Sequence, residues 1–486
     1  MDYFFVSRAK THKSFKAPAG VALDGRRIVE ANNALPDGTP FFTDEHMRPL
    51  EPWCSFFFNL ARGRDKHSAN TMRSYAYDLL AFEQFLAGLD LPVDVLSADE
   101  DDLLSYRDYR TTYQEKPVSR TTWNRNRVPI KLFYEWAKKQ GLVADLPYSI
   151  KRNGVDSLLL PIDMGLAVRH LTRAQWRVFQ QQGLGGYLPD GSPDPQFRGR
   201  DQLRNMAAAE LSVTTGLRLR EFGGLLDIEV GSPRPDSSPA EVELQAIAKG
   251  GYRRMVTVQH DVLRTIDAYR RTERAIMARQ AARALAGRRD ELFVVTDVDT
   301  TQMRLRGRLH GLAKEYVISA MPVEIRQVAV IEGDHGLEPM ALFLGRGGRM
   351  LGRARWEQIF DDASRRATRV AVEAELVTMP RRVTPHDLRH TFAVYMLKIL
   401  TQHQIELEVE RRAAGAHGAY LQEHMAVNPL LKVQELLGHR QPSSTLKYLR
   451  YIQDTNAIVA RAVAEWNDAD RSYADYAEQI IGREAI

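Results

Sequence analysis

A chain of 486 residues is too long for one ordinary hydrophobic core, and its 44% apolar content is enough to build two. Lys and Arg number 67 against 62 Asp and Glu, a net charge of +5, and an isoelectric point near 9.1 fits a protein that meets a polyanion. The single cysteine, Cys54, excludes an intrachain disulfide and a cysteine-based metal cluster, and no run approaches the roughly 18 uninterrupted apolar residues of a membrane span.

Residues 1–48 mix glycine, proline and charge without a sustained period, so an N-terminal extension of loose structure is expected, with Phe4, Phe5, Phe41 and Phe42 as its anchors. No basic-then-apolar leader opens it, which points to a cytoplasmic protein. Between residues 49 and 150 the period turns helical. Tyr75, Leu79, Phe82 and Leu86 share one face, as do Ile130, Phe133, Tyr134 and Ala137. Asn70-Thr71 and Ser97-Ala98-Asp99-Glu100 read as helix starts, the second resembling a capping box. The last helix of this small bundle carries Arg120, Arg127, Lys131 and Lys138 opposite its apolar stripe, a candidate DNA-facing row whose bland alternative is a solvated helix face.

Residues 151–170 show no clean period and read as a linker, and a second domain spans 171–467. In it, Arg204 to Leu217 is a helix ending at Gly216-Leu217-Arg218-Leu219-Arg220-Glu221. Val242–Ile247 and Met255–Val258 read as two strands of a hairpin with Lys249 at its tip. Leu263 to Arg288 reads as a long helix, Leu292–Val295 and Leu342–Leu344 as short strands, and Trp356 to Val372 as a further helix, while the stretch up to Met340 has no strong signature. Gly345-Arg346-Gly347-Gly348 lacks the Lys-Ser/Thr ending of a phosphate-binding loop and reads as a turn.

Thr384 can cap a helix that begins at Pro385, with Leu388, Phe392, Met396 and Ile399 along its buried stripe and His386, Arg389 and His390 on another face. Val433–Leu437 reads as a second helix stopped by Gly438, which leaves His439 just past its end, and Tyr448 follows nine residues later. Cleaving a phosphodiester through a covalent intermediate needs a nucleophile, cations around the non-bridging oxygens and an acid for the departing oxygen. Arg218 and Arg389 can clamp two phosphate oxygens, Lys249 can serve as the acid, and His386 and His439 can hold a proton near neutrality. Tyr448 is the candidate nucleophile, its phenol becoming competent once ringed by cations. Tyr451 is its rival, three residues further on.

The segments Gly216-Leu217-Arg218-Leu219-Arg220-Glu221, Lys249 on its hairpin, His386-Asp387-Leu388-Arg389-His390-Thr391, Leu437-Gly438-His439 and Tyr448 resemble, in order and placement, the motifs of the tyrosine recombinases, or phage-type integrases. The likeness covers about residues 50 to 460 and favours Arg218 over Arg220 as the clamp. It implies a mainly α (α+β) protein: a helical core-binding, SAM-like domain followed by a mostly helical catalytic domain with a small antiparallel β-sheet. It further implies a site-specific recombinase or integrase that works on double-stranded DNA through a 3′-phosphotyrosyl intermediate, with no cofactor, no ATP and no metal. It implies homo-oligomers as well, a dimer per site and a tetramer in synapse, with room for accessory proteins, in a bacterial cytoplasm close to the nucleoid. Surplus residues at about 262–340 and 403–428 look like insertions, and 468–486 is a tail for exchange between protomers or for packing on its own domain. The alternatives are a DNA-relaxing enzyme of the type IB topoisomerase kind and a DNA-binding factor of this fold that has lost its chemistry.

Overall fold

The computed structural model describes residues 2–7, 35–63, 67–162, 168–413 and 428–449. Two compact units divide the chain, residues 1–165 and 166–486. Four helices make most of the first: α1 (Trp53–Arg62), α2 (Ala69–Ala87), α3 (Glu100–Asp108) and α4 (Arg120–Lys139). Their starts follow from side-chain caps. Ser68, two positions before the expected start at Asn70, accepts from the Thr71 amide at the head of α2, and Asp99 forms a reciprocal capping box with Asp102 at the head of α3. Leu79, Phe82 and Leu86 of α2 and Ile130, Phe133, Tyr134 and Ala137 of α4 are all buried, as their spacing predicts.

Part of the expected extension is structured. β1 (Asp2–Phe5) pairs antiparallel with β2 (Pro40–Thr43), and Phe42, only 2% exposed, packs on Trp53 and Phe57 inside the helical core. The first half of the expected linker is packed too, because Leu158 is a core residue and its carbonyl accepts from the buried Trp123 indole at 2.8 Å.

The second unit is built on α5 (Arg173–Val178), α6 (Gln202–Thr215), α7 (His260–Tyr269), α8 (Ala275–Ala286), α9 (Arg353–Glu373), α10 (Pro385–Ala413) and α11 (Pro429–Leu437). The expected long helix from Leu263 is thus α7 and α8 joined through a wider π turn at Arg270–Arg274. The hairpin is present as β3 (Ala240–Leu244) and β4 (Arg254–Val258), with Lys249 exposed on the turn between them. Leu342–Leu344 is buried but is not a strand, carrying only isolated bridges at the preceding Ala341 and at Leu344.

The stretch without a signature holds the larger sheet. Strands β5 (Phe293–Asp299), β6 (Arg304–Leu309), β7 (Leu312–Val317), β8 (Ala329–Gly333) and β9 (Gly336–Pro339) lie in the order β7-β6-β5-β8-β9. All neighbours run antiparallel except β5 and β8. His310 and Gly311, with φ of 52 and 78, make the two-residue turn between β6 and β7. Between β7 and β8 the buried Arg326 donates to both carboxylate oxygens of Glu229 and to the carbonyls of Gly224 and Met321. The second expected insertion begins as a plain continuation of α10 through Ala413; residues 414–427, like the 468–486 tail and Tyr451, lie outside the described residues.

Candidate active site

Four stretches distant in sequence meet in the second unit: the end of α6, strand β4, the first turns of α10, and α11 with the turn after it. The packing follows from local chemistry. α6 stops because Gly216 turns into the left-handed region at φ 67; a Cβ there would lie 2.5 Å from Phe392 Cδ1 of α10 and 3.0 Å from Leu437 Cδ2 of α11. α10 starts at a box in which the Asp387 amide donates to Thr384 Oγ1 at 3.2 Å and the Thr384 amide donates to Asp387 Oδ2 at 2.8 Å. The stripe of α10 is buried at Leu388, Phe392, Ala393 and Leu397, but Ile399 is 43% exposed, so the apolar contact stops about a turn sooner than its spacing predicts. α11 is capped by Asn428 and ends at Gly438, φ 61.

The two helix ends leave carbonyls that need donors, and arginines supply them. Arg389, 1% exposed, donates to Gly216 O at 2.6 Å and to Leu437 O at 2.5 Å, tying the end of α6 to the end of α11. Arg254, on β4, donates to Leu436 O at 2.8 Å. Its other Nη meets Glu221 Oε2 at 2.6 Å, and Glu221 Oε1 receives Arg218 Nη1 at 2.9 Å while Oε2 also takes the Arg218 amide at 2.8 Å. Glu221, fully buried, therefore fixes both the backbone and the guanidinium of Arg218. Among the described residues, Arg218, Arg254, Arg389 and Lys447 gather around the carboxylate of Glu221. Burial and the neighbouring Arg218 draw the Arg389 guanidinium down to about 9, still charged at neutral pH. Such an excess of fixed positive charge is suited to a phosphate.

Tyr448 closes the cluster. Its ring is fully buried among Phe392, Ala393, Val433 and Leu437, and its hydroxyl lies 2.7 Å from His390 Nδ1. His439 stacks on it, the ring centroids 6.4 Å apart and 10° from parallel, and turns its own Nδ1 to Thr445 Oγ1 at 2.9 Å. His386 is exposed, with its ring 4.2 Å from that of His390. Burial pushes the Tyr448 phenol up to about 12, and burial with the surrounding cations brings His439 down to about 3.

The structure thus brings Arg218, His386, Arg389, His439 and Tyr448 together, while Lys249 stands exposed on the hairpin turn. Arg220 is exposed, away from these contacts. His390, Arg254 and Lys447 were not singled out from the sequence as site residues. His390 carried a signal there, lying one turn after His386 on the same helix; for Arg254 only its place three residues past the hairpin turn could have suggested it.

In the first unit the expected basic row is divided. Arg127 and Lys131 both bind the buried Asp156, Lys131 at 3.0 Å, so these two cations neutralise an internal carboxylate and do not line an open face. Arg120 and Lys138 are exposed, the latter paired with Asp145 at 3.0 Å. Burial raises the Asp156 carboxyl, but Lys131 and Arg127 outweigh that and hold it below its ordinary value. Stability from this trio is therefore fully present above the ordinary carboxylate range and drains away as the pH falls through the lowered value. Asp156→Ala should cost about 3 kcal/mol at neutral pH by stranding two cations, and thermal melts should show the deficit shrinking in acid.

Residues 56–141 match the family model of the phage integrase N-terminal SAM-like domain. Over its length the chain is similar to the XerH site-specific recombinase bound to a palindromic difH substrate, with 16% identity over 85% of this chain and 82% of that one, and a TM-score of 0.43. It is similar also to the Tn1549 transposon integrase in complex with circular intermediate DNA, at 16% identity over 85% and 98% of the two chains and a TM-score of 0.44. A lambda integrase dimer bound to a core site gives 11% identity, coverage of 82% and 94%, and a TM-score of 0.39. No curated protein matches the sequence significantly.

Proposed function

We propose that this protein is a tyrosine recombinase of the phage-integrase type, which cleaves and rejoins double-stranded DNA at specific sites. The observation that carries the reading is the setting of Tyr448: a phenol held by a histidine and stacked on another, beside Arg389 and Arg218, in a pocket whose positive charge exceeds its negative charge. The SAM-like domain ahead of that unit supports it.

On this reading Arg218 and Arg389 hold the non-bridging oxygens of the scissile phosphate, with His386 and His439 flanking them. Tyr448 attacks phosphorus and forms a 3′-phosphotyrosyl bond, and Lys249, carried by its hairpin, protonates the departing 5′ oxygen. A 5′-hydroxyl from a partner strand reverses the step. One phosphodiester is exchanged for a phosphotyrosine, so the reaction needs neither ATP nor a divalent metal. The exposed Arg120 and Lys138 of α4 contact the DNA backbone, and protomers assemble as a dimer per site and a tetramer in synapse.

Nicked DNA substrates whose cleaved end diffuses away test the core of this. The full chain, incubated with a library of such duplexes in chelator, is expected to form a covalent protein–DNA adduct that resists denaturation. Retention of DNA with no adduct would favour a binding factor of the same fold. Relaxation of a supercoiled plasmid without strand exchange would favour a topoisomerase.

A further inference from the structure

We propose that His390 is the base that takes the phenolic proton of Tyr448 as it attacks phosphorus and that returns it on rejoining. The inference rests on the reading of Tyr448 as the nucleophile. His390 touches the reacting oxygen, with Nδ1 and Oη 2.7 Å apart, inside hydrogen-bond reach for direct transfer. Of the three histidines it is the one so placed. The His439 ring lies near-parallel to the phenol with centroids 6.4 Å apart, its Nδ1 is engaged by Thr445, and it makes no hydrogen bond to the Tyr448 hydroxyl. His386 is exposed and meets the edge of His390 rather than the tyrosine.

The surroundings keep the acceptor neutral. Burial, His386, Lys447, Arg389 and His439 together bring the His390 imidazole down to about 2, so it is neutral over the working pH range and its Nδ1 lone pair accepts from the phenol. The Tyr448 phenol is correspondingly protonated. A phosphate bound between Arg218 and Arg389 brings negative charge next to both groups and offsets the cations that disfavour an imidazolium. In the forward step the Oη–H proton passes to Nδ1, the Oη–P bond forms, and the bond from phosphorus to the 5′ oxygen breaks, that oxygen leaving with a proton from Lys249. In the reverse step the 5′-hydroxyl attacks and gives its proton to the Lys249 amine, the Oη–P bond breaks, and His390 hands its proton back to the phenolate.

The test measures single-turnover adduct formation on the nicked substrates for wild type, His390→Ala, His390→Asn and Tyr448→Phe, each with melting temperature and DNA retention. Both an ordinary leaving oxygen and a 5′-bridging sulfur, which needs no acid, are used across a pH series. His390→Ala is expected to slow adduct formation by about 10²- to 10⁴-fold, with the rate climbing as pH rises because hydroxide takes over the proton. His390→Asn, which can accept the hydrogen bond but cannot carry the proton, is expected to stay slow, and the bridging sulfur is expected to rescue neither. A rate for His390→Asn near wild type would show mere positioning and overturn the proposal, as would rescue by the bridging sulfur or an unchanged pH profile in His390→Ala. An adduct that persists in Tyr448→Phe would instead sink the nucleophile assignment itself, whatever His390 does.

Discussion

Tyr448→Phe is expected to fold, to retain DNA and to form no covalent adduct, a loss of about 10⁴-fold or more in strand cleavage. The substitution removes one oxygen and leaves the ring that fills the space among Phe392, Val433 and Leu437. Its cost to stability should be about 1 kcal/mol, the worth of the one hydrogen bond to His390. Near-normal melting together with absent adduct on nicked DNA is therefore the signature of a lost nucleophile rather than a lost fold. Cleavage that survives would point to another hydroxyl.

Arg389 gives a different pattern because it has two occupations. Its guanidinium would clamp the phosphate, and it already bridges the last carbonyls of α6 and α11. Arg389→Ala is expected to lower cleavage by about 10²- to 10³-fold or more. It should also cost about 3 kcal/mol of stability, since two buried carbonyls lose their donors. Arg389→Lys keeps the charge but cannot span both carbonyls, so most of the stability loss and much of the activity loss should remain. Melting curves and adduct yields on the same preparations separate the two effects; an Arg389→Ala protein that melts like wild type would refute the bridging role.

The site was legible in the sequence where its geometry is local. Gly216 and Gly438 stop two helices at fixed offsets from Arg218 and His439, and the box of Thr384 and Asp387 sets the phase of α10 so that Arg389 and His390 arrive on the same turn. What was not legible depends on partners far along the chain. Arg127 and Lys131 look like an open basic row until Asp156, 29 and 25 residues away, is seen beneath them. Arg254 reads as one more charged strand residue until Leu436 O and Glu221 meet it. Of the five-stranded sheet only Leu292–Val295, which opens β5, reads as a strand, and the rest escaped for a related reason. Its strands are short and rich in charge, Arg304 and Arg306 answering Glu315 and Asp297 across β5 to β7, and its centre is a parallel pair that no turn announces. Beside the apolar run of β5, the His310-Gly311 turn was a local mark of it. The expected mainly α (α+β) layout holds, with more sheet than the sequence suggested.

Glu221 links the fates of three residues. One carboxylate serves two guanidiniums and a backbone amide, all out of water. If Arg254 changes alone, a buried anion is left half paired; if Glu221 changes alone, Arg218 and Arg254 face each other without a counter-ion. Neither intermediate is comfortable, so in sequence space the trio forms a coupled block that single steps traverse poorly. Arg220, exposed beside it, is under no such coupling and can drift. On the proposed function, such a chain would change the DNA it meets by altering loops and helix faces, while the charge arrangement under Arg218 stays in place or goes as a whole.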